Sequence, residues 1–149
     1  MTGDRKGIAA EFHADVTGLP TVSGAYVLLI HLADSLPVKL AGRTEVTLPP
    51  GCYLYCGSAR GPGGIKARVG RHMQKDKAIR WHVDRLTTKG TVVGAWVFPS
   101  GDECELVAML AGLPVPIPGF GSSDCETCAS HLLGWQSGVG LPFKMIGCN

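Results

Sequence analysis

The chain has 149 residues, 45% of them hydrophobic, and a formal net charge of only +2. This length predicts a single domain, and the hydrophobic content is ample for a core. No apolar run approaches the length needed to cross a bilayer, and no signal-like segment follows Met1, so the sequence argues against a membrane protein and we expect a cytoplasmic one.

The first part of the chain predicts an arm followed by two strands. Residues 1–22 are mixed in character and predict a loosely attached arm with a single helical turn at most. Residues 25–32 form a continuous apolar run rich in β-formers, as expected of a buried strand. After an excursion, a second strand starts at residues 45–48, is interrupted by prolines, and resumes at residues 52–56.

The middle of the chain predicts three helices and a further strand. A glycine-rich turn at residues 57–64 leads into this region. The helices are predicted at residues 65–73, 80–87 and 102–111, and the strand at residues 91–98. Asp102 and Glu105 have the spacing of a capping box at the start of the third helix.

The last part of the chain is less regular. Residues 113–123 are too rich in proline and glycine for a helix or strand, residues 125–133 return to ordered structure of undefined type, and residues 143–146 predict a short edge strand. Together these elements predict an α/β domain over residues 23–149, with a small mixed or antiparallel sheet of three or more strands flanked by helices.

Positive charge is concentrated in residues 60–85, which we call the basic segment. It holds eight Lys and Arg against two Asp, a net charge of +6, whereas the rest of the chain carries −4. Such segregation is the footprint that a polyanion requires. Arg68 and His72, at i and i+4 on a helix, share a face, as do Arg71 and Lys75, and like charges at that spacing call for an anion such as phosphate.

Three motifs occur in an informative order, namely Gly24-Ala25-Tyr26, Tyr55-Cys56-Gly57 and Arg68-x-x-x-His72. Successive strands over a modest connection pair antiparallel, so Tyr26 and Tyr55 are expected to lie near each other. This order resembles the GIY-YIG endonuclease superfamily, in which two tyrosine-bearing strands precede a helix with an arginine and a histidine or tyrosine one turn later.

Further matches resemble the Uri-type branch of that superfamily. They are Gly57-Ser58-Ala59, Arg71-His72, Trp81-His82-Val83-Asp84, Glu103-Cys104 and the loop at residues 119–125, so the resemblance covers most of residues 23–133. The chain departs from the pattern in the longer gap between the tyrosine motifs, in Cys56 where isoleucine or valine is usual, and in a Cys-x-x-Cys where the branch has Cys-x-Cys.

The resemblance assigns a role to each motif residue. Arg68 would stabilise the pentavalent phosphate with its planar donors, and His72 would assist by hydrogen bonding or proton transfer. One tyrosine, preferentially Tyr55, would orient or deprotonate the attacking water, and Tyr26 would position the phosphate. Tyr53 has the side-chain parity of Tyr55 and is a rival. Substrate contacts are expected from Ser58, Arg71, Lys75 and His82. The segment at residues 81–84 could equally stack a base, bind phosphate or cap the sheet.

Two glutamates near the start of the third predicted helix are candidates for a metal ligand. Glu105 has a sufficient explanation as the capping-box partner. Glu103 lies on the same stripe as Leu106 and Val107, where a carboxylate is costly unless it is paired or bound to a cation. We therefore predict Glu103 as the ligand of one Mg2+, or of Mn2+ as the alternative, because Mg2+ keeps several waters and needs few protein ligands.

The six cysteines are expected to be buried thiols, because no export signal favours a disulfide framework. They are Cys52, Cys56, Cys104, Cys125, Cys128 and Cys148. Cys125, Cys128 and His131 have zinc-type side chains, but only Cys104 or Cys148 could supply a fourth ligand, so thiols with a core histidine are favoured over zinc. His131 could instead complete the active surface together with Asp124.

The sequence therefore predicts a metal-dependent endonuclease that hydrolyses phosphodiester bonds in DNA, with RNA as a second candidate substrate. The alternative is a catalytically silent nucleic-acid-binding module, with or without a structural zinc site. A chain of this length has little room for a separate specificity domain. Substrate choice is thus expected to come from a homodimer or a protein partner.

Overall fold

A computed structural model describes residues 11–40, 42–120 and 130–136 of the chain. Its elements in chain order are β1 (Glu11–His13), β2 (Gly24–Leu32), β3 (Leu36–Val38), β4 (Val46–Leu48), β5 (Gly51–Ala59), α1 (Gly64–Met73), α2 (Val83–Lys89), β6 (Thr91–Pro99), α3 (Glu103–Met109) and β7 (Leu132–Trp135). The α/β class predicted from the sequence is confirmed.

Five strands form one antiparallel sheet in the order β1-β6-β2-β5-β7, and β3 and β4 form a separate hairpin. The central strand is β2, with β5 on one side and β6 on the other. A strand covered on both faces needs apolar side chains throughout, which is why Gly24–Ile30 is buried without alternation.

Helices cover both faces of the sheet. On one face, α1 and α2 contribute Ile65, Val69, Val83 and Leu86 to a core that includes Tyr26, Leu28 and Ile30 of β2. On the other face, α3 contributes Leu106 to a core that includes Ala25, Val27 and Leu29 of β2. Successive residues of a strand point to opposite faces, so β2 supplies both cores.

The described part of the predicted N-terminal arm is attached to the domain, so the prediction of a loose arm with a helical turn was wrong there. β1 pairs with the edge of β6. The carbonyls of Pro20 and Val22 accept hydrogen bonds from the N–H groups of Lys66 and Ile65, at 2.8 and 2.9 Å, in the first turn of α1. These bonds satisfy donors that a helix leaves unpaired at its start.

The second helix begins later than predicted because a side chain organises the residues before it. Oδ2 of Asp84 accepts the backbone N–H groups of Arg80 and Trp81, at 2.8 and 2.9 Å. These residues therefore form a turn around the carboxylate, and α2 starts only at Val83. A side chain that bonds nearby backbone donors in this way competes with the helix.

Three local predictions require correction. β5 continues through residues 57–59, which were expected to form a turn. α1 ends at Met73, so Lys75 lies beyond the helix and does not share a face with Arg71. Asp102 stands at the N-cap of α3 without a side-chain cap bond; its carboxylate lies 3.9 Å from the guanidinium of Arg60, and the capping box with Glu105 is not formed.

The cysteine prediction was wrong for Cys52, which is disulfide-bonded, whereas Cys56 and Cys104 are thiols. Cys125, Cys128 and the predicted strand at residues 143–146 lie outside the described residues. Within the part of the chain that the structure describes, no helix is both long enough and apolar enough to cross a membrane.

Candidate active site

The two tyrosine motifs lie side by side on paired strands. Tyr26 of β2 is opposite Gly57 of β5, and Tyr55 is opposite Leu28, so both phenols are on the face covered by α1. A Cβ at residue 57 would lie 2.5 Å from the hydroxyl oxygen of Tyr26. Only glycine therefore leaves room for the Tyr26 ring across the strand pair.

Tyr26 and His72 form a buried neutral pair. The Tyr26 hydroxyl lies 2.8 Å from Nε2 of His72, and each residue is only 1% exposed. Burial raises the pKa of Tyr26 well above its ordinary value and lowers the pKa of His72 from 6.5 to about 3. Both groups therefore stay uncharged at neutral pH, and His72 carries no proton that it could donate as an imidazolium.

Tyr55 is more accessible than Tyr26, although part of it is also covered. Its ring centroid lies 6.2 Å from that of His72 and 6.1 Å from that of Phe120. Burial, followed by the negative charge of Glu103, raises the pKa of Tyr55. The rival Tyr53 donates its hydroxyl to the carbonyl of Pro49 near the start of β5, which occupies it structurally.

Arg68 projects from α1 beside the tyrosine pair. Its Nη1 donates to the carbonyl of Ser58 at 3.0 Å, and its Cζ lies 4.8 Å from the ring centroid of Trp81. Its charge acts on both Tyr26 and Tyr55. Among the described residues, no carboxylate forms an ion pair with Arg68, so its charge is available for an anion.

Arg71 has a different environment. Its two guanidinium nitrogens donate to the two oxygens of Asp84 at 2.8 and 3.0 Å, and Asp84 is completely buried. Although burial opposes ionisation of Asp84, hydrogen bonds from Arg71 and from backbone N–H groups lower its pKa to about 2. His72 is neutral, Asp84 compensates the charge of Arg71, and α1 ends before Lys75. The repulsion between like charges that the sequence suggested for this helix therefore does not arise.

Glu103 approaches the tyrosine pair from the start of α3. Oε2 of Glu103 lies 3.4 Å from Nδ1 of His131, and 28% of the Glu103 side chain is exposed. The interaction with His131 outweighs partial burial and lowers the pKa of Glu103; Ser58 and Arg60 lower it further. Glu103 is therefore a carboxylate at neutral pH.

His131 is held on β5 by its backbone. Its carbonyl accepts the N–H of Cys56 at 2.9 Å, and its own N–H donates to the carbonyl of Phe120 at 2.8 Å. The sequence pointed to His131 as a zinc candidate or a site residue, and its position beside Glu103 fits the second. The sequence could not predict the contact between His131 and Glu103, because the two residues are 28 positions apart.

The carboxylate of Glu103 is an oxygen donor of the type that suits Mg2+ or Mn2+ rather than zinc. Glu103 offers an ionised, partly exposed oxygen, the ligand type that Mg2+ prefers, and Mg2+ needs few protein ligands because it keeps its waters. Zinc requires several nitrogen or sulfur ligands. No group of three or more His, Cys, Asp or Glu that could hold a metal occurs in residues 11–40, 42–120 and 130–136.

The residues expected to contact the substrate are spread around this centre. Ser58 is partly buried and interacts with Glu103. Lys75 and His82 are exposed, and the His82 ring lies 6.1 Å from that of Phe120. Trp81 and Asp84 belong to the segment at residues 81–84, which the sequence left open between base stacking, phosphate binding and capping of the sheet; Asp84 is buried and bonded to Arg71.

The region from the first tyrosine strand onwards corresponds to a known family. A family model described as "Domain of unknown function DUF123" matches residues 25–142. The chain belongs to the DUF123 family. The DUF123 match contains all five residues of the candidate site, namely Tyr26, Tyr55, Arg68, His72 and Glu103. No curated protein and no solved structure matches the chain.

Proposed function

We propose that this DUF123 protein is a metal-dependent endonuclease of the GIY-YIG type, similar to the Uri-type branch, that hydrolyses phosphodiester bonds in DNA. One observation carries the proposal. Two strands, β2 and β5, and two helices, α1 and α3, bring chemically matched groups together around Tyr26, whose hydroxyl bonds to His72 and whose pKa, raised mainly by burial, also responds to Tyr55, Arg68 and Glu103. A cation that stabilises charge on phosphate and a carboxylate that can hold a metal ion are groups that phosphoryl transfer uses, and a phenol can position the water.

Arg68 is the group that binds the scissile phosphate. The guanidinium interacts with the Ser58 carbonyl and with the Tyr26 hydroxyl, and its other donors can face the phosphate oxygens. A planar guanidinium matches two oxygens at once and stabilises charge that develops on them. The bond to Ser58 also fixes the orientation of Arg68 before the substrate arrives, which reduces the entropic cost of the reaction.

Tyr55 orients the attacking water rather than deprotonating it. Burial keeps the pKa of Tyr55 above its ordinary value, so the phenol retains its proton at neutral pH. A protonated phenol can hold water through its hydroxyl oxygen and donate to a phosphate oxygen. The hydrogen bond between Tyr26 and the neutral His72 fixes the His72 ring. The ring of Tyr55 packs against that of His72.

Glu103 would hold the divalent ion. When bound, Mg2+ supplies charge neutralisation at the phosphate and lowers the pKa of a coordinated water. The role of the chain is to keep Glu103 ionised and oriented, which the contact with His131 supports. Partners that hold a ligating side chain in place commonly strengthen metal binding.

A second candidate is a module that binds nucleic acid without cleaving it. The observation that favours it is the burial of Tyr26 and His72, which leaves both groups out of reach of a substrate in this conformation. The basic segment would serve this function equally well, because phosphate contacts alone give binding. The two candidates differ in metal-dependent cleavage.

The test compares two glutamates of α3 on labelled linear and branched DNA with Mg2+, Mn2+ or EDTA. Glu103→Gln should abolish cleavage and leave DNA affinity within about twofold, because removing a negative charge near phosphate does not weaken attraction. The matched control is Glu105→Gln, since Glu105 is exposed on the same helix, and it should cleave normally. If the wild type binds DNA but cleaves no substrate with either metal ion, the nuclease proposal is wrong and the binding module becomes the proposed function.

A further inference from the structure

Trp81 presents an aromatic ring beside the arginine assigned to the phosphate. The residue is 37% exposed. Its ring centroid lies 4.8 Å from Cζ of Arg68 and 4.4 Å from Cζ of Arg71. Single exposed apolar residues are common and need no explanation by themselves. The manner in which Trp81 is held distinguishes it from such residues.

A completely buried carboxylate fixes Trp81 in place. Oδ2 of Asp84 accepts the backbone N–H of Trp81 at 2.9 Å, and both Asp84 oxygens bind the guanidinium of Arg71 that contacts the indole. The backbone of Trp81 and one of its ring neighbours are thus anchored to the same buried group. A binding surface that is ordered beforehand loses little entropy when it engages a ligand.

The two arginines next to Trp81 differ in whether a carboxylate compensates their charge. Asp84 compensates the charge of Arg71, so this guanidinium supports the ring. Arg68, in contrast, forms no ion pair with any carboxylate in the described part of the chain. The indole therefore lies next to a cation that can donate hydrogen bonds to a phosphate. An aromatic platform beside a cation is the usual composition of a site for single-stranded nucleic acid.

Building on the proposed nuclease function, we infer that Trp81 stacks on an unpaired base adjacent to the phosphate that Arg68 contacts. The substrate class is then DNA with a single-stranded segment at the cleavage site. In an intact duplex the neighbouring bases cover both faces of each base, and exposing one face requires unstacking. Single strands, flaps and bubbles offer such a face without that cost.

The experiment measures binding in EDTA, so that cleavage does not interfere. Short DNA oligonucleotides containing 2-aminopurine, single-stranded or in a duplex of the same sequence, are titrated with protein. Trp81→Leu, which keeps an apolar side chain without a π-face, should weaken single-strand affinity about tenfold and abolish quenching of 2-aminopurine. Trp81→Phe should retain most of both signals, and duplex affinity should change less than twofold in either variant.

Ile79→Ala is the matched control, because Ile79 is an exposed apolar residue in the same segment, 50% accessible, and it should behave as wild type. Equal losses on single strand and duplex, or equal losses in the Leu and Phe variants, would overturn the stacking role. A single-stranded RNA of the same sequence is titrated in parallel, and a loss seen with this RNA but not with the DNA would overturn the assignment of DNA.

The two proposals fail in different ways. If Trp81→Leu shows the selective loss in EDTA while the wild type cleaves nothing with Mg2+, stacking is supported and the nuclease is refuted. If the wild type cleaves duplex and single strand equally and Trp81→Leu binds both as before, the nuclease is supported and stacking is refuted.

Discussion

Asp84→Asn tests whether one buried carboxylate organises the basic segment. Asp84 accepts two bonds from the guanidinium of Arg71 and the backbone N–H groups of Arg80 and Trp81. The asparagine side chain has nearly the same shape but no charge and only one oxygen. The substitution therefore removes the ion pair and one acceptor while it leaves the packing almost unchanged.

The size of the effect follows from the pKa of Asp84. This pKa falls from 3.8 to about 2 in the folded protein, which corresponds to about 2 kcal/mol of stability at neutral pH. A buried donor left without an acceptor costs about 1 kcal/mol more. We therefore expect Asp84→Asn to lower the free energy of unfolding by about 3 kcal/mol.

Urea titrations followed by circular dichroism at pH 7 and pH 3 provide the measurement. A carboxyl group with a lowered folded pKa stabilises the protein fully above its unfolded pKa and loses this effect as the pH falls towards 2. The difference between wild type and Asp84→Asn should thus be about 1 kcal/mol smaller at pH 3. Asp76→Asn is the control, because Asp76 is exposed in the same segment. Equal stability of both variants at pH 7 would refute the reasoning.

Three further predictions concern the candidate site. Arg68→Lys keeps the charge but not the planar donors, so single-turnover cleavage should fall about 100-fold at nearly constant DNA affinity. Burial holds His72 neutral with a pKa of about 3, so the free energy of unfolding should fall between pH 7 and pH 5. In His72→Asn this decrease should be about 2 kcal/mol smaller than in the wild type. Parallel pH profiles of the two proteins would contradict the prediction. His131→Leu should raise the Mg2+ concentration for half-maximal cleavage about tenfold, whereas His131→Asn, which keeps a nitrogen donor, should stay close to wild type.

The long elements could be predicted because their own residues determine them. β2 and β6 each span nine residues that are mostly apolar, and the burial of their central residues follows from that composition. β1 and β7 have only three and four residues. Such short strands are defined by the neighbour with which they pair, and that neighbour lies far away in the sequence, so no local pattern identifies them.

The candidate site divides in the same way. The sequence proposed Tyr26 and Arg68 from the order of the motifs, and Glu103 from its place on the apolar stripe of its predicted helix. The environment of each residue was beyond the sequence. Arg71 was expected to contact substrate but bonds to Asp84, 13 residues away, in a pair that a charge count cannot distinguish from two solvated groups.

The position of His131 beside Glu103 also affects how the protein is made. A growing polypeptide emerges from its N-terminus, and the tyrosine, arginine and glutamate residues of the site are all synthesised before residue 131. β7, which closes the sheet next to β5, begins at Leu132. Contacts between distant residues form late because the intervening loop must first be closed. The contact between His131 and Glu103 can therefore form only after almost the whole domain has been synthesised, so an unfinished chain presents its basic segment without that contact.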